Sequence, residues 1–272
     1  MRAAVPAFGA APMVFLRLAM GSLLVLLPIT LWRFGPAPLL KHWRALSIYG
    51  VVFTAIPFIG LGWSARSISA GLLAVLQSAA PLFSAVIAHY WMRERLTPVR
   101  AAGLAIGLAG VTLLVWDQIG VGSDAGIAIV VTLAVTVLWG VSSNYARTLH
   151  DIDPVVLATG SIGIAALALS PWAVADWPQV APGARAWAEV TFMGIVASGF
   201  GFLMYFGLIR QIGAVRATSV SFLTPVVAMV SGAFYLGEAL TVRMVTGCAV
   251  IIVGTALTLG LVPIGKGARK AR

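Results

Sequence analysis

The sequence predicts an all-α polytopic membrane protein made of two helical repeats of inverted topology. Three observations carry this expectation. Hydrophobic residues fill 60% of the 272 positions and charged residues 10%, and mean hydropathy is +1.01. So few polar groups could not cover a water-soluble globule of this size. Apolar runs long enough to cross about 30 Å of hydrocarbon recur along the whole chain. Finally, Arg66 to Leu113 reappears without a gap as Arg210 to Leu257, an offset of 144 positions (225 − 81 for Pro81 and Pro225). The same offset superimposes Glu94 on Glu238, Leu96-Thr97 on Leu240-Thr241, Gly103 on Gly247, Gly110 on Gly254 and, further upstream, Trp43 on Trp187.

Each helix is an apolar run bounded by charge, proline or glycine. The first, Ala11 to Trp32, stops at Arg33, and the second, Trp43 to Trp63, stops short of Arg66. Ala70 to Met92 contains Pro81 and ends at Arg93-Glu94-Arg95, and Thr97 to Trp116 opens on Thr-Pro. Gly126 to Leu149 lies between Asp124 and His150-Asp151, and Pro154 to Ala175 lies between Asp153 and Asp176. Ala186 to Ile209 ends at Arg210, Ala214 to Leu236 contains Pro225 and ends at Gly237-Glu238, and Thr241 to Pro263 precedes a basic tail. Nine spans result, four in a first repeat over 1–117 and five in a second over 124–263, with 264–272 as a cytoplasmic tail. No stretch between them could form a separate soluble domain.

Thirteen basic residues fall in alternate loops and the tail: Arg33, Lys41 and Arg44; Arg93, Arg95 and Arg100; Arg147; Arg210 and Arg216; and Lys266, Arg269, Lys270 and Arg272. The other loops hold three, Arg66, Arg185 and Arg243, together with Asp117, Asp124, Asp176 and Glu189. The positive-inside bias puts the first set in the cytoplasm. The Arg93 to Arg100 loop then lies inside and its counterpart Glu238 to Arg243 outside, so the repeats are inverted. This distribution accounts for the net charge of +10 without nucleic acid as a partner. The lone Cys248 lies in an apolar run, so neither an intramolecular disulfide nor a thiolate metal cluster is available, and no cofactor or metal is expected.

The unmatched span is Gly126 to Leu149, with its Trp139-Gly140-Val141-Ser142-Ser143-Asn144-Tyr145-Ala146-Arg147 motif. Pairing Ala11-Pro12 with Asp153-Pro154 sets Met1-Arg2 opposite Ser143-Asn144, at the end of an absent first helix. The expectation is that Met1 is an internal methionine. The alternative is a nine-span protein, and intact mass of native protein separates the two.

The Pro81 to Glu94-Arg95-Leu96-Thr97 segment, its partner Pro225 to Glu238-Ala239-Leu240-Thr241, the glycine-rich helix after each, and the Trp139-Gly140 opening together resemble the EamA type of the drug/metabolite transporter superfamily. The resemblance covers nearly the whole chain. It implies a ten-helix, multi-pass carrier of small metabolites in the bacterial inner membrane, with a central cavity lined here by the helices at Trp43, Ala70, Ala186 and Ala214. This chain departs by lacking the first helix, which in small multidrug pumps of that superfamily bears the proton- and drug-binding carboxylate.

Candidate cavity residues follow from polarity and position. Gln77 and Ser78 sit one turn before Pro81, and Ser221 and Thr224 precede Pro225, so each repeat sets hydrogen-bonding groups beside a proline that frees a backbone carbonyl. The alternative is that these prolines only bend helices while Ser and Thr satisfy the freed carbonyls. Tyr205, deep in its span, could flank an apolar cargo with Phe202 and Tyr49, whereas Trp63 suits either that role or an interfacial belt. Asn144 and Tyr145 reach the cavity or anchor their helix. Arg17, inside the first span, either faces a wet cavity and binds a substrate carboxylate or snorkels to the outer headgroups. His89 is a packing residue or a proton relay.

Glu94 and Glu238 are expected to accept from the N–H groups that open the following helix. Gly103, Gly107 and Gly110, echoed by Gly247 and Gly254, form a small-residue face for close helix packing, within one chain or across a homodimer. The function implied is secondary transport, as an exporter of small metabolites such as amino acids, by rocking of the repeats about a central cavity. The chain has no Walker-type phosphate loop, which argues against ATP hydrolysis. The rivals are a non-transporting membrane subunit or inactive remnant and, from a different class, an intramembrane enzyme. Histidines only at His42, His89 and His150, with few buried carboxylates, weaken the enzyme reading.

Overall fold

In a computed structural model, which describes residues 4–94, 96–116, 124–204 and 220–261, the described parts of the apolar runs are helical. The spans are α1 (Ala10–Phe34), α2 (Trp43–Ser64), α3 (Ala70–Trp91), α4 (Pro98–Val115), α5 (Asp124–Thr148), α6 (Pro154–Ala175) and α7 (Ala184–Met204). They are followed by α8 (Val220–Leu236) and α9 (Val242–Thr258). The first seven are long and apolar enough to cross a membrane. The protein is a polytopic helical membrane protein, and among the described residues four of these nine helices precede residue 124 and five follow.

Local chemistry sets the helix starts. Ser69 accepts from the Leu72 N–H, Thr97 from Arg100, Asp153 from Val155 and Thr241 from Met244, each supplying a side-chain oxygen to an otherwise orphan donor. The repeated Leu-Thr pair is therefore a helix start written twice. The ends of α3 and α8 also match. Arg93 and Gly237 both take positive φ, 55° and 64°, and the next amides close back on the chain, Glu94 N–H on the Ala88 carbonyl and Glu238 N–H on the Gly232 carbonyl.

Packing follows an approximate twofold relation between repeats. A Cβ built on Gly103 would come within 2.8 Å of the Gly254 carbonyl, and one on Gly247 within 3.6 Å of the Gly110 carbonyl, so the pair recurs with partners exchanged (247 − 103 = 254 − 110 = 144). The α4 and α9 glycine faces thus meet inside one chain. A second exchanged pair joins the other helices: a Cβ on Gly50 would lie 2.7 Å from the Ser161 carbonyl and one on Gly194 3.0 Å from the Arg17 carbonyl. Such reciprocity is what inverted repeats produce. Helix α1 also packs on its counterpart α6, where Thr30 and Thr159 hydroxyls lie 2.6 Å apart. Glu238 sits beside Ala70, at the end of α2 and α3 opposite the loop that carries Lys41.

Helix α5 fills the flank of α2 and α3. On the corresponding flank, α7 and α8 turn Val196, Phe200, Met204, Val227 and Phe234 outward.

Candidate functional site

Among the described residues three spans carry a π-helical stretch, and they do so where helices cross. Residues Gly21–Leu26 of α1, Val51–Ala55 of α2 and Phe192–Phe200 of α7 wind as π-helix. Positions 51 to 55 map onto 195 to 199 by the repeat offset, so the α2 and α7 segments are counterparts (195 − 51 = 144). A π turn carries one extra residue and frequently marks a functional site. On α2 it helps set Tyr49, Phe53 and Phe58 along one side. Tyr49 stacks on Tyr145 of α5 at 6.3 Å between centroids, Phe53 meets Tyr145 at 5.5 Å, and Phe58 meets Trp139 edge-on at 6.2 Å. The Tyr49 hydroxyl lies 3.0 Å from that of Ser142.

Arg17 stands at the upper end of this aromatic row. Its guanidinium lies 4.7 Å from the Phe58 ring centre, and its Nε–H donates to Ser198 Oγ at 2.8 Å, within the α7 π segment. The half-buried side chain is held among α1, α2 and α7 by these two contacts. No carboxylate pairs with it among the described residues. Arg17, Phe58, Trp139 and Ser198 bring α1, α2, α5 and α7 together, joining both repeats.

The remaining candidates divide. The break in α3 at Ser78-Ala79 follows from Pro81, which has no N–H for the Gln77 carbonyl. Ser78 is buried and donates to the Val75 carbonyl at 2.6 Å, the self-contained alternative, while Gln77 is half-buried. The second repeat does not copy this break: α8 runs through a buried Pro225, with Thr224 exposed. Tyr205 and the Ser221 side chain lie outside the described residues. Trp63 is 36% exposed in the last turn of α2.

Asn144 anchors its helix. Its Nδ2 donates to the Ser84 carbonyl at 3.0 Å, Ser84 Oγ at 3.0 Å and the Gly140 carbonyl at 2.9 Å. Ser143 Oγ continues the seam to Ser84 Oγ at 2.8 Å. His89 has Nδ1 2.7 Å from the Glu94 carbonyl oxygen, at the end of its own helix.

The two glutamates depart from expectation. Glu238 accepts from the Ala70 and Gly71 N–H groups at 3.0 and 3.4 Å, so it caps α3 in the other repeat. Glu94 pairs with Arg147 across to α5. Threonines already cap α4 and α9, and each carboxylate has a partner in another helix.

Sequence reasoning missed Phe58, Trp139 and Ser198 as a group, because one apolar residue on an apolar helix carries no mark. The glycines at 50 and 194, equivalent by the offset, were the available signal.

A model described as the EamA-like transporter family matches residues 1–116 and 126–260. An uncharacterized transporter of Archaeoglobus fulgidus is 26% identical over 211 residues, covering 77% of this chain and 74% of that protein. A protein of Escherichia coli named a probable amino-acid metabolite efflux pump is 25% identical over 197 residues, covering 68% of this chain and 66% of that one. A solved structure titled only as the crystal structure of a protein superposes with a TM-score of 0.71 at 22% identity, over 95% of this chain and 91% of that chain.

Proposed function

Because this chain belongs to the EamA-like transporter family, we propose that it is a secondary exporter of small metabolites such as amino acids in the bacterial inner membrane, with its C-terminus in the cytoplasm. The observation that carries this reading is the exchanged packing of the two repeats. Gly103 on Gly254 and Gly247 on Gly110 join the halves through equivalent glycine contacts with partners exchanged. Two such halves can rock between arrangements of similar energy related by that approximate twofold, which is the requirement for alternating access. A cargo site belongs where both halves contribute, and Arg17, Phe58, Trp139 and Ser198 come from both. Cytoplasmic loops follow from the thirteen basic residues on one side.

Purified protein in proteoliposomes tests the proposal. Saturable counterflow of labelled leucine or phenylalanine, absent from empty vesicles, is the expected result. Vesicles that retain every solute of an amino-acid panel would count against transport and favour a non-transporting subunit, and chemical conversion of solute without flux would favour an enzyme.

A further inference from the structure

We infer that Arg17, with Ser198 beside it and Phe58 against it, is the seat for a carboxylate on the cargo. The solute is then a small carboxylic acid carrying an apolar or aromatic body. This rests on the transport reading and narrows its substrate class.

The first ground is electrostatic. A charge inside a span is costly and needs a partner or water. Arg17 has one hydroxyl on Nε and one ring face, and among the described residues its terminal guanidinium nitrogens make no hydrogen bond. That outer edge is a planar fork with the spacing of a carboxylate's two oxygens, a geometry an ammonium does not offer.

The second ground is symmetry. The exchanged contacts Gly50 with Ser161 and Gly194 with Arg17 make Ser161 the counterpart of Arg17 (161 − 17 = 144). Ser161 is buried and turns its hydroxyl to the Ala158 carbonyl in its own helix. Thr54, the counterpart of Ser198, likewise bonds the Tyr49 carbonyl. The scaffold closes at that crossing without a cation, so the packing does not require one at position 17. The charge exists in one repeat only, beside two π turns that meet at Gly21, Gly194 and Gly199.

The third ground is the adjoining wall. Phe58 leads to Trp139 on α5, an apolar surface for the body of an acid held by its carboxylate.

The test compares flux of leucine and phenylalanine with that of their carboxamides, in wild-type, Arg17→Met, Arg17→Lys and Ser198→Ala proteins. The wild type is expected to prefer each acid by tenfold or more, as expected for loss of a charge-assisted pair. Arg17→Met removes the preference, Arg17→Lys keeps part of it because charge survives without the fork, and Ser198→Ala lowers it a few-fold. Equal flux of acid and amide through wild type, or an undiminished preference in folded Arg17→Met, overturns the site and leaves transport standing. Should Arg17→Met not fold, an undiminished preference in both other variants overturns it. Flux of neither series through wild type overturns the site where another solute of the amino-acid panel is carried, and where none is carried it removes the transport reading and the site with it.

Discussion

Gly254 lies against Gly107 so closely that a Cβ added to it would overlap the Gly107 main chain. Backbone cannot yield as a side-chain tip can, so Gly254→Ala must push α9 off α4. The expected loss is about 1–3 kcal/mol, the range for overpacking a close contact. Gly247→Ala is the control, because its nearest neighbour is the Leu114 Cδ1 at 3.2 Å, the end of a flexible side chain. Thermal unfolding in one detergent should rank the variants wild type, Gly247→Ala, Gly254→Ala; equal midpoints for the two variants would contradict this crossing.

That glycine seam was legible in the sequence, because small residues repeating at helical spacing in both halves leave a pattern that survives duplication. The fold class, the spans and the inversion were legible for the same reason: hydropathy and loop charge are one-dimensional quantities. The site was only partly so. Arg17 stood out as a charge in a span, but its hydrogen bond to Ser198, 181 positions away, could not be read from the sequence. The glutamates misled for a physical reason. A carboxylate near a helix start suggests a cap for that helix, yet Thr97 and Thr241 had already taken the role, and only three-dimensional neighbours could say what Glu94 and Glu238 would bind instead. The π turns had no signal in composition at all.

Arg93 pays a conformational cost that Gly237 avoids. Both hold the left-handed corner after equivalent helices, at φ 55° and 64°, where an L side chain crowds the following carbonyl. Arg93→Gly is expected to stabilise the protein by about 1 kcal/mol, and Gly237→Ala to destabilise it by a similar amount. Opposite shifts of the unfolding midpoint check both. A loss of stability in Arg93→Gly would mean that its side chain contributes more than the corner costs.

Glu238 and Glu94 are sequence equivalents with different structural roles. Removing Glu238 deprives the Ala70 and Gly71 N–H groups of their acceptor at the positive end of α3. Glu238→Ala should therefore cost about 1 kcal/mol, with Glu238→Gln recovering part of it. Glu94→Ala breaks a half-exposed ion pair with Arg147 and is expected to cost under about 0.5–1 kcal/mol. Chemical denaturation in mixed micelles can rank the three. A larger loss from Glu94→Ala than from Glu238→Ala would reverse the assignment.

Asn144 joins α5 to α3, and the strength of that joint can be separated from its packing. The side chain is 1% exposed and gives its amide hydrogens to Ser84 and Gly140. Asn144→Ala should cost about 1–3 kcal/mol, since it removes the hydrogen bonds to Ser84 that join the helices together with a buried one to Gly140. Ser84→Ala removes one acceptor for Asn144 and the contact with Ser143 Oγ at 2.8 Å, while the Ser84 carbonyl still receives the amide. Its cost is therefore smaller, and the two changes share a network. A double-mutant cycle is expected to give a coupling of about 0.5 kcal/mol or more, the lower bound for residues in one hydrogen-bond network. Strict additivity would mean that close packing at Gly140, where a Cβ would lie 2.8 Å from the Ser84 nitrogen, holds α5 without help from the amide.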